Sequence, residues 1–242
     1  MNSKYLLAGL ALVVCVLPIA ALAQNMGTDD IPYGYHHTEG IQNPTIYTFT
    51  AANTGPVDAY FAGSTAEWTE TLGMMVNGTT TISGQFTNQT TRVGTMVNLA
   101  QNLPGGQVNA GDTLTFFITI NNSLGGGVDG VNISSDPTLN TGVYAGQNHV
   151  YAAAHLDTVN NDYVGSDFGG GGNLKTIPVG MFVAFEDNYP TDSTFGPTDW
   201  NYNDENFIFA NTASAQVSLP EPGIGLSLLL LGGLVLRRRR TA

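Results

Sequence analysis

The 242-residue chain has a single cysteine, Cys15, and it lies inside an apolar N-terminal run. Past that run there is no thiol, which excludes disulfides, cysteine-ligated zinc, iron–sulfur clusters and thiol nucleophiles. Basic side chains are almost as scarce. Seven Lys and Arg stand against nineteen Asp and Glu, and five of the seven sit at the two ends, as Lys4, Arg237, Arg238, Arg239 and Arg240. Between residues 24 and 222 only Arg92 and Lys175 face all nineteen acids, a net charge of −17 against −12 for the whole chain. A surface of that sign repels nucleic acid and attracts cations, so no nucleic-acid partner is expected. Catalytic signatures are missing too. Neither G-x-S-x-G, H-E-x-x-H, the P-loop pattern nor G-x-G-x-x-G stands in a suitable context. Carboxylate pairs are too common in an acidic chain to signal glycosidase chemistry. No enzymatic activity is expected.

No long window carries the 3.6-residue apolar period of a helix. Short runs rich in β-branched and aromatic residues recur instead, at 46–51, 72–76, 112–120 (DTLTFFITI), 149–154, 177–185 and 206–210. Gly, Asn, Asp and Pro clusters separate them. This pattern predicts an all-β fold, an antiparallel β-sandwich of jelly-roll-like form. One domain is expected over 46–215, after a poorly ordered lead-in at 24–45. Two Gly-rich stretches, 121–130 (NNSLGGGVDG) and 165–173 (GSDFGGGGN), are expected as long loops. Strong acidity can signal disorder, but the abundance of Tyr, Phe, Val and Thr argues for a packed core.

The ends have their own logic. Lys4, the apolar run 5–20 and the A-x-A of Ala21 to Ala23 read as a secretory signal peptide over 1–23, cleaved before Gln24. The last residues are LPEPGIGLSLLLLGGLVLRRRRTA. As a helix, the apolar part 223–236 would be about 21 Å long at about 1.5 Å per residue, short for a bilayer core of about 30 Å. The basic part 237–240 would stay on the cytoplasmic side. A transient insertion into the inner membrane suits such a tail better than a permanent span. Pro220, Glu221 and Pro222, then the apolar helix, then Arg237, Arg238, Arg239 and Arg240 resemble the PEP-CTERM sorting signal of Gram-negative bacteria, placed here over 216–242. The resemblance implies an exosortase-type processing enzyme as partner. It also implies export, with the protein tethered to the inner membrane before processing and at the cell surface or outside the cell afterwards.

One segment carries site chemistry. FEDNYPTDSTFGPTDWNYNDENF, residues 185–207, holds Glu186, Asp187, Asp192, Asp199, Asp204 and Glu205 without one Lys or Arg. Crowded carboxylates repel and raise one another's pKa unless something positive lies among them. Calcium, which takes about six to eight oxygen ligands, would relieve that repulsion. Asp199, Asn201 and Asn203 alternate with Trp200 and Tyr202, so an extended segment would put oxygens on one side and aromatics on the other. An EF-hand loop is excluded, since its sixth position would be Asp204 rather than Gly and its twelfth Ala210 rather than Glu. The candidate metal ligands are Glu186, Asp187, Asp199, Asn201, Asn203 and Asp204, with calcium as the expected cofactor. The plainer alternative is that these residues cap turns through their own side chains.

The same segment, as VAFED and DWNYNDENFIF, resembles a domain-of-unknown-function family of exported bacterial proteins whose signature pairs F-E-D with D-x-N-[FY]-N-D. That resemblance implies a β-sandwich, calcium binding and no enzymatic activity. The expected function is therefore a non-catalytic cell-surface or extracellular-matrix protein, associated with biofilm or exopolysaccharide and stabilised by calcium. The alternative is a carbohydrate-binding module that engages exopolysaccharide through Trp68, Trp200 and Tyr-rich loops, although aromatics of a β-rich chain more often build the core. His149 and His155 would share one face of a continuous strand, where packing is favoured over metal ligation.

Overall fold

Thr45 and Ser218 are paired neighbours, so the first and last strands lie side by side and close the fold. The computed structural model describes residues 40–155, 178–189 and 198–218. The expected signal peptide, most of the lead-in, the 165–173 loop, Lys175, Asp192 and the sorting tail with Pro220, Glu221, Pro222 and the four arginines lie outside the described residues.

The strands are β1 (Thr45–Ala51), β2 (Asp58–Gly63), β3 (Thr69–Val76), β4 (Thr79–Thr87), β5 (Met96–Asn98), β6 (Thr113–Asn122), β7 (Asn132–Ser134), β8 (Val150–His155), β9 (Gly180–Phe185), β10 (Glu205–Ala210) and β11 (Thr212–Ser218). The only helical pieces among the described residues are three single 3-10 turns. The fold is all-β, with two antiparallel sheets. The first runs β11-β1-β6-β3-β4, and the second β5-β2-β10-β9-β8. β7 joins the first sheet beside β6, pairing at Phe117, Ile118 and Thr119, whereas β1 meets β6 only at Thr113 and Leu114.

Alternation along the strands explains the layering. Leu72, Met74 and Val76 of β3, with Leu114, Phe116, Ile118 and Ile120 of β6, turn into a core shared with Phe61 of β2, Val183 of β9 and Phe207 and Phe209 of β10. The rings of Phe116 and Phe209 stack between the sheets, centroids 3.7 Å apart and planes 5° from parallel. Each fully buried aromatic of this kind contributes about 1.5–3 kcal/mol of apolar burial. On the other face of β6, Phe117 lies over Gly73 of β3, and a Cβ at Gly73 would overlap its ring. A smaller cluster covers the outer face of the second sheet, where Trp200 and Tyr202 pack on Tyr60, Phe182, Ala184 and Ile208.

Each of the six runs read from composition overlaps a strand. The strands that composition did not announce are β2, β4, β5, β7 and β11. They are rich in small, polar or Gly residues and owe their conformation to the partner edges available to them. The 121–130 stretch is tied rather than loose: Asp129 Oδ1 accepts from the backbone N–H and the hydroxyl of Ser123, at 2.7 and 2.6 Å.

Candidate metal centre

β9 ends at Phe185, and the next two residues carry carboxylates that stay inside: Glu186 is 1% and Asp187 5% exposed. Their backbone is pinned. Glu186 N–H donates to His149 O at 3.0 Å, Glu186 O meets His149 Nδ1 at 2.9 Å, and the Tyr144 hydroxyl donates to Asp187 O at 2.7 Å. Across from them, the residues leading into β10 bring Asp204, half-buried, and Glu205, 2% exposed. Asp204 Oδ2 accepts the Asp187 N–H at 2.9 Å. One carboxylate oxygen each from Glu186, Asp187 and Asp204 all lie within 4.8 Å of one another. Ligands about 2.3–2.6 Å from a calcium ion fit that spacing.

A fifth carboxylate comes from the opposite sheet. Glu70 of β3 has the same parity as Leu72, Met74 and Val76, so its side chain enters the interior at the end of their column. Its backbone is fixed by Asn88, whose Oδ1 accepts Glu70 N–H at 3.0 Å and whose N–H donates to Glu70 O at 3.3 Å. Glu70 is 0% exposed and neither carboxylate oxygen meets a donor; Oε1 of Glu205 is likewise buried without one. The carboxyls of Asp187 and Glu205 lie near that of Glu70. Carboxylate facing carboxylate is contact without a donor unless one of them holds a proton.

The electrostatics follow. Burial, then the charges of Glu205 and Asp204, pushes Glu70 well above the ordinary carboxylate range. Burial also raises Asp187 and Glu205, with neighbouring carboxylates adding to it. Glu186 is pushed up to about 9, by burial first and Asp204 second. Asp204 rises to about 6 through burial, against the opposing pull of the Asp187 N–H. Among the described residues no positive group answers them. Arg92 is the only Lys or Arg among the described residues and is exposed. His149 is held down to about 4 by burial, so it is neutral at physiological pH.

The structure thus gathers Glu186, Asp187 and Asp204 of the six residues chosen from sequence and gives the other three different work. Asp199 is exposed, and its oxygens accept from the backbone N–H of Asn201 at 3.1 Å and from its Nδ2 at 2.7 Å. Asn201 Oδ1 accepts Asn203 N–H at 3.0 Å, and Asn203 Oδ1 accepts the Thr65 hydroxyl at 2.6 Å. The segment is a succession of Asx turns, not an extended stretch: Trp200 and Tyr202 have φ of 54° and 58°. Those left-handed residues, rather than strand alternation, turn the two aromatics onto the second sheet. Sequence reading missed Glu70 and left Glu205 unchosen. The signal for both was parity with the hydrophobic residues of their own strands.

A cavity of about 220 Å³ opens on Asp187 and Asp204, with Thr65, Glu67, Trp68 and Asn188 in its walls. Asn188 Oδ1 is buried and meets no donor. The cavity gives an ion a route inward and room for water ligands, and the all-oxygen donor set suits a hard cation rather than zinc or copper. Trp68 and Trp200 are only 2% and 9% exposed, so neither offers a face on which a sugar could stack. No known protein family, curated protein or solved structure matches the chain.

Proposed function

We propose that this chain is an exported, non-catalytic cell-surface or extracellular-matrix protein whose domain, a jelly-roll-like β-sandwich, is stabilised by calcium at the acidic cluster. The observation that carries the calcium reading is the triad: one oxygen each of Glu186, Asp187 and Asp204 lies within 4.8 Å of the others, Glu186 and Asp187 are buried, and Asn188 Oδ1, buried beside the same cavity, meets no donor. An ionised group buried there costs several kcal/mol unless paired, and a divalent cation supplies the missing partner. Glu186, Asp187 and Asp204 would hold it, with Asn188 Oδ1 and cavity water completing its shell. The ion's chemistry is structural. It ties the end of β9 to the start of β10.

The signal-peptide and PEP-CTERM-like ends support the surface or matrix assignment, with an exosortase-type enzyme as processing partner and transient inner-membrane insertion of the apolar tail. Exopolysaccharide is the natural surrounding for such a product.

Scanning calorimetry of the protein in calcium and in chelator tests the central claim. A melting temperature that drops in chelator and returns with calcium is expected, and one that ignores both sinks it. Cell fractionation tests the sorting: a Glu221→Ala chain is expected to stay with the inner membrane while the parent chain leaves it.

A further inference from the structure

At the far end of β3 from Glu70, about 20 Å along the strand at about 3.3 Å per residue, a cleft of about 620 Å³ opens at Val76. That volume falls in the range of about 300–1,000 Å³ usual for ligand sites. One wall is the β3–β4 hairpin of the first sheet, with Asn77, Thr79 and Thr81. The other is the segment that follows β5 of the second sheet, with Asn102, Gln107 and Asn109. Leu103 and Pro104 add apolar surface, and no Lys, Arg, His or aromatic residue lines the cleft. The walls are tied to each other. Asn102 Nδ2 donates to Thr81 O at 3.1 Å. Asp112, also in the lining, accepts Asn77 Nδ2 on Oδ1 at 2.9 Å and the Asn109 N–H on Oδ2 at 2.8 Å. Asn77 Oδ1 accepts the Thr113 N–H at 2.9 Å, and Asn98 Nδ2 holds the loop at Gly106 O, 2.8 Å away. The shape of the cleft is therefore set before any ligand arrives, which lowers the ordering cost of binding.

The chemistry of the lining selects its ligand. With one carboxylate and no basic side chain, it disfavours phosphate, sulfate and acidic polymers. Carboxamides and hydroxyls both donate and accept, as the hydroxyls of a sugar do, and Leu103 and Pro104 suit the C–H faces of a pyranose ring. An added peptide strand fits less well. Thr81 lies on β4, the edge strand of the first sheet, and Asn102 already takes the Thr81 carbonyl, an acceptor that strand addition uses. We propose that this cleft binds a segment of a neutral polysaccharide, gripped through Thr79, Asn102, Gln107 and Asn109 by hydrogen bonds rather than by aromatic stacking. The site is separate from the acidic cluster and does not depend on the calcium reading. It gives an exported surface protein a direct hold on uncharged polymer around it.

Affinity electrophoresis of the full chain tests this, in native gels that contain calcium and either dextran, mannan or galactan, with alginate and gelatin as the anionic and peptide comparisons. Retardation by at least one neutral polysaccharide is expected, and none by alginate or gelatin. Thr79 and Gln107 are exposed, so Thr79→Val and Gln107→Ala leave the core untouched. Each is expected to weaken retardation about two- to tenfold, the effect of one lost hydrogen bond, with an unchanged melting temperature. A parent chain that none of the three neutral polysaccharides retards overturns the proposal. Retardation that the double variant leaves unchanged places the glycan elsewhere and also overturns it, as does stronger retention by alginate or gelatin. None of these outcomes touches the calcium-dependent melting shift, so the two readings fail separately.

Discussion

Glu70 of β3 and Glu205 of β10 meet between the two sheets, each buried, each the last inward residue of a hydrophobic column. Strand packing alone gives no reason for two acids there. At the same parity β3 continues with Leu72, Met74 and Val76, and β10 with Phe207 and Phe209. Replacing such a pair by apolar residues of similar volume is often neutral or stabilising. Their presence on the inner side of an acidic cluster therefore points to a ligand.

Calcium should raise stability by mass action. At a free concentration about 100 times its dissociation constant, one bound ion adds about 2.7 kcal/mol. For a domain of this size that is a rise of roughly 5–10 °C, at about 2–4 °C per kcal/mol. Calorimetry with calcium, then with excess chelator, reads it directly.

Glu70→Gln should act with opposite signs in the two conditions. In chelator the neutral amide removes a buried unpaired acid, a group whose burial costs about 1–3 kcal/mol, and the melting temperature rises. In calcium the variant gains less than the parent chain. A variant destabilised equally in both conditions would mean that the carboxylate is only a packing element.

Asp204→Asn and Asp199→Asn separate ligand from turn. Asp204 shares the triad and accepts the Asp187 N–H. Asp199 is exposed, and an Asn there can still accept the Asn201 N–H. The first substitution is expected to abolish most of the calcium-dependent thermal shift. The second is expected to change it by less than about 0.5 kcal/mol, the usual range for surface substitutions.

Without calcium, stability should fall as pH rises. A carboxyl whose pKa is raised by folding holds its proton more tightly in the folded state, so unfolding releases it. For Glu186 the loss starts near its ordinary 4.5 and continues to about 9; for Asp204 it runs from 3.8 to about 6. His149 works the other way, because its folded value of about 4 lies below its ordinary 6.5 and acid destabilises it. Between pH 7 and 9 the imidazole no longer titrates and the carboxyls decide the sign. Melting temperatures in chelator should decline across that window, and calcium should remove the decline.

Gly180→Ala tests the second sheet. A Cβ on Gly180 would overlap the carbonyl of Phe209, which is backbone and cannot swing aside. The overpacking should cost about 1–3 kcal/mol, measured as a lower urea midpoint with an unchanged slope.

Legibility varied along the chain for physical reasons. β6 was plain because TLTFFITINN packs side chains on both faces, and such a run needs β-branched and aromatic residues throughout. β11, TASAQVS, was not, since its small and polar residues take strand form only because β1 offers an edge over seven paired positions. The charge crowding at 186–205 was visible because it depends on the absence of Lys and Arg from one stretch. The Asx turns were not, because D-x-N-x-N is equally compatible with an extended chain until Trp200 and Tyr202 find the outer face of the second sheet to bury against.

The sequence by itself determined the all-β character, the surplus of negative charge and the crowding of carboxylates before the last strands, since these follow from composition and local pattern. Only the tertiary structure decided which carboxylates meet. Glu70 and Glu205 are 135 positions apart along the chain, and no local signal joins them. The sheet packing that buries Leu72, Met74, Phe207 and Phe209 carries the two acids to the same point, because a strand's alternation fixes the direction of every side chain once its hydrophobic face is committed.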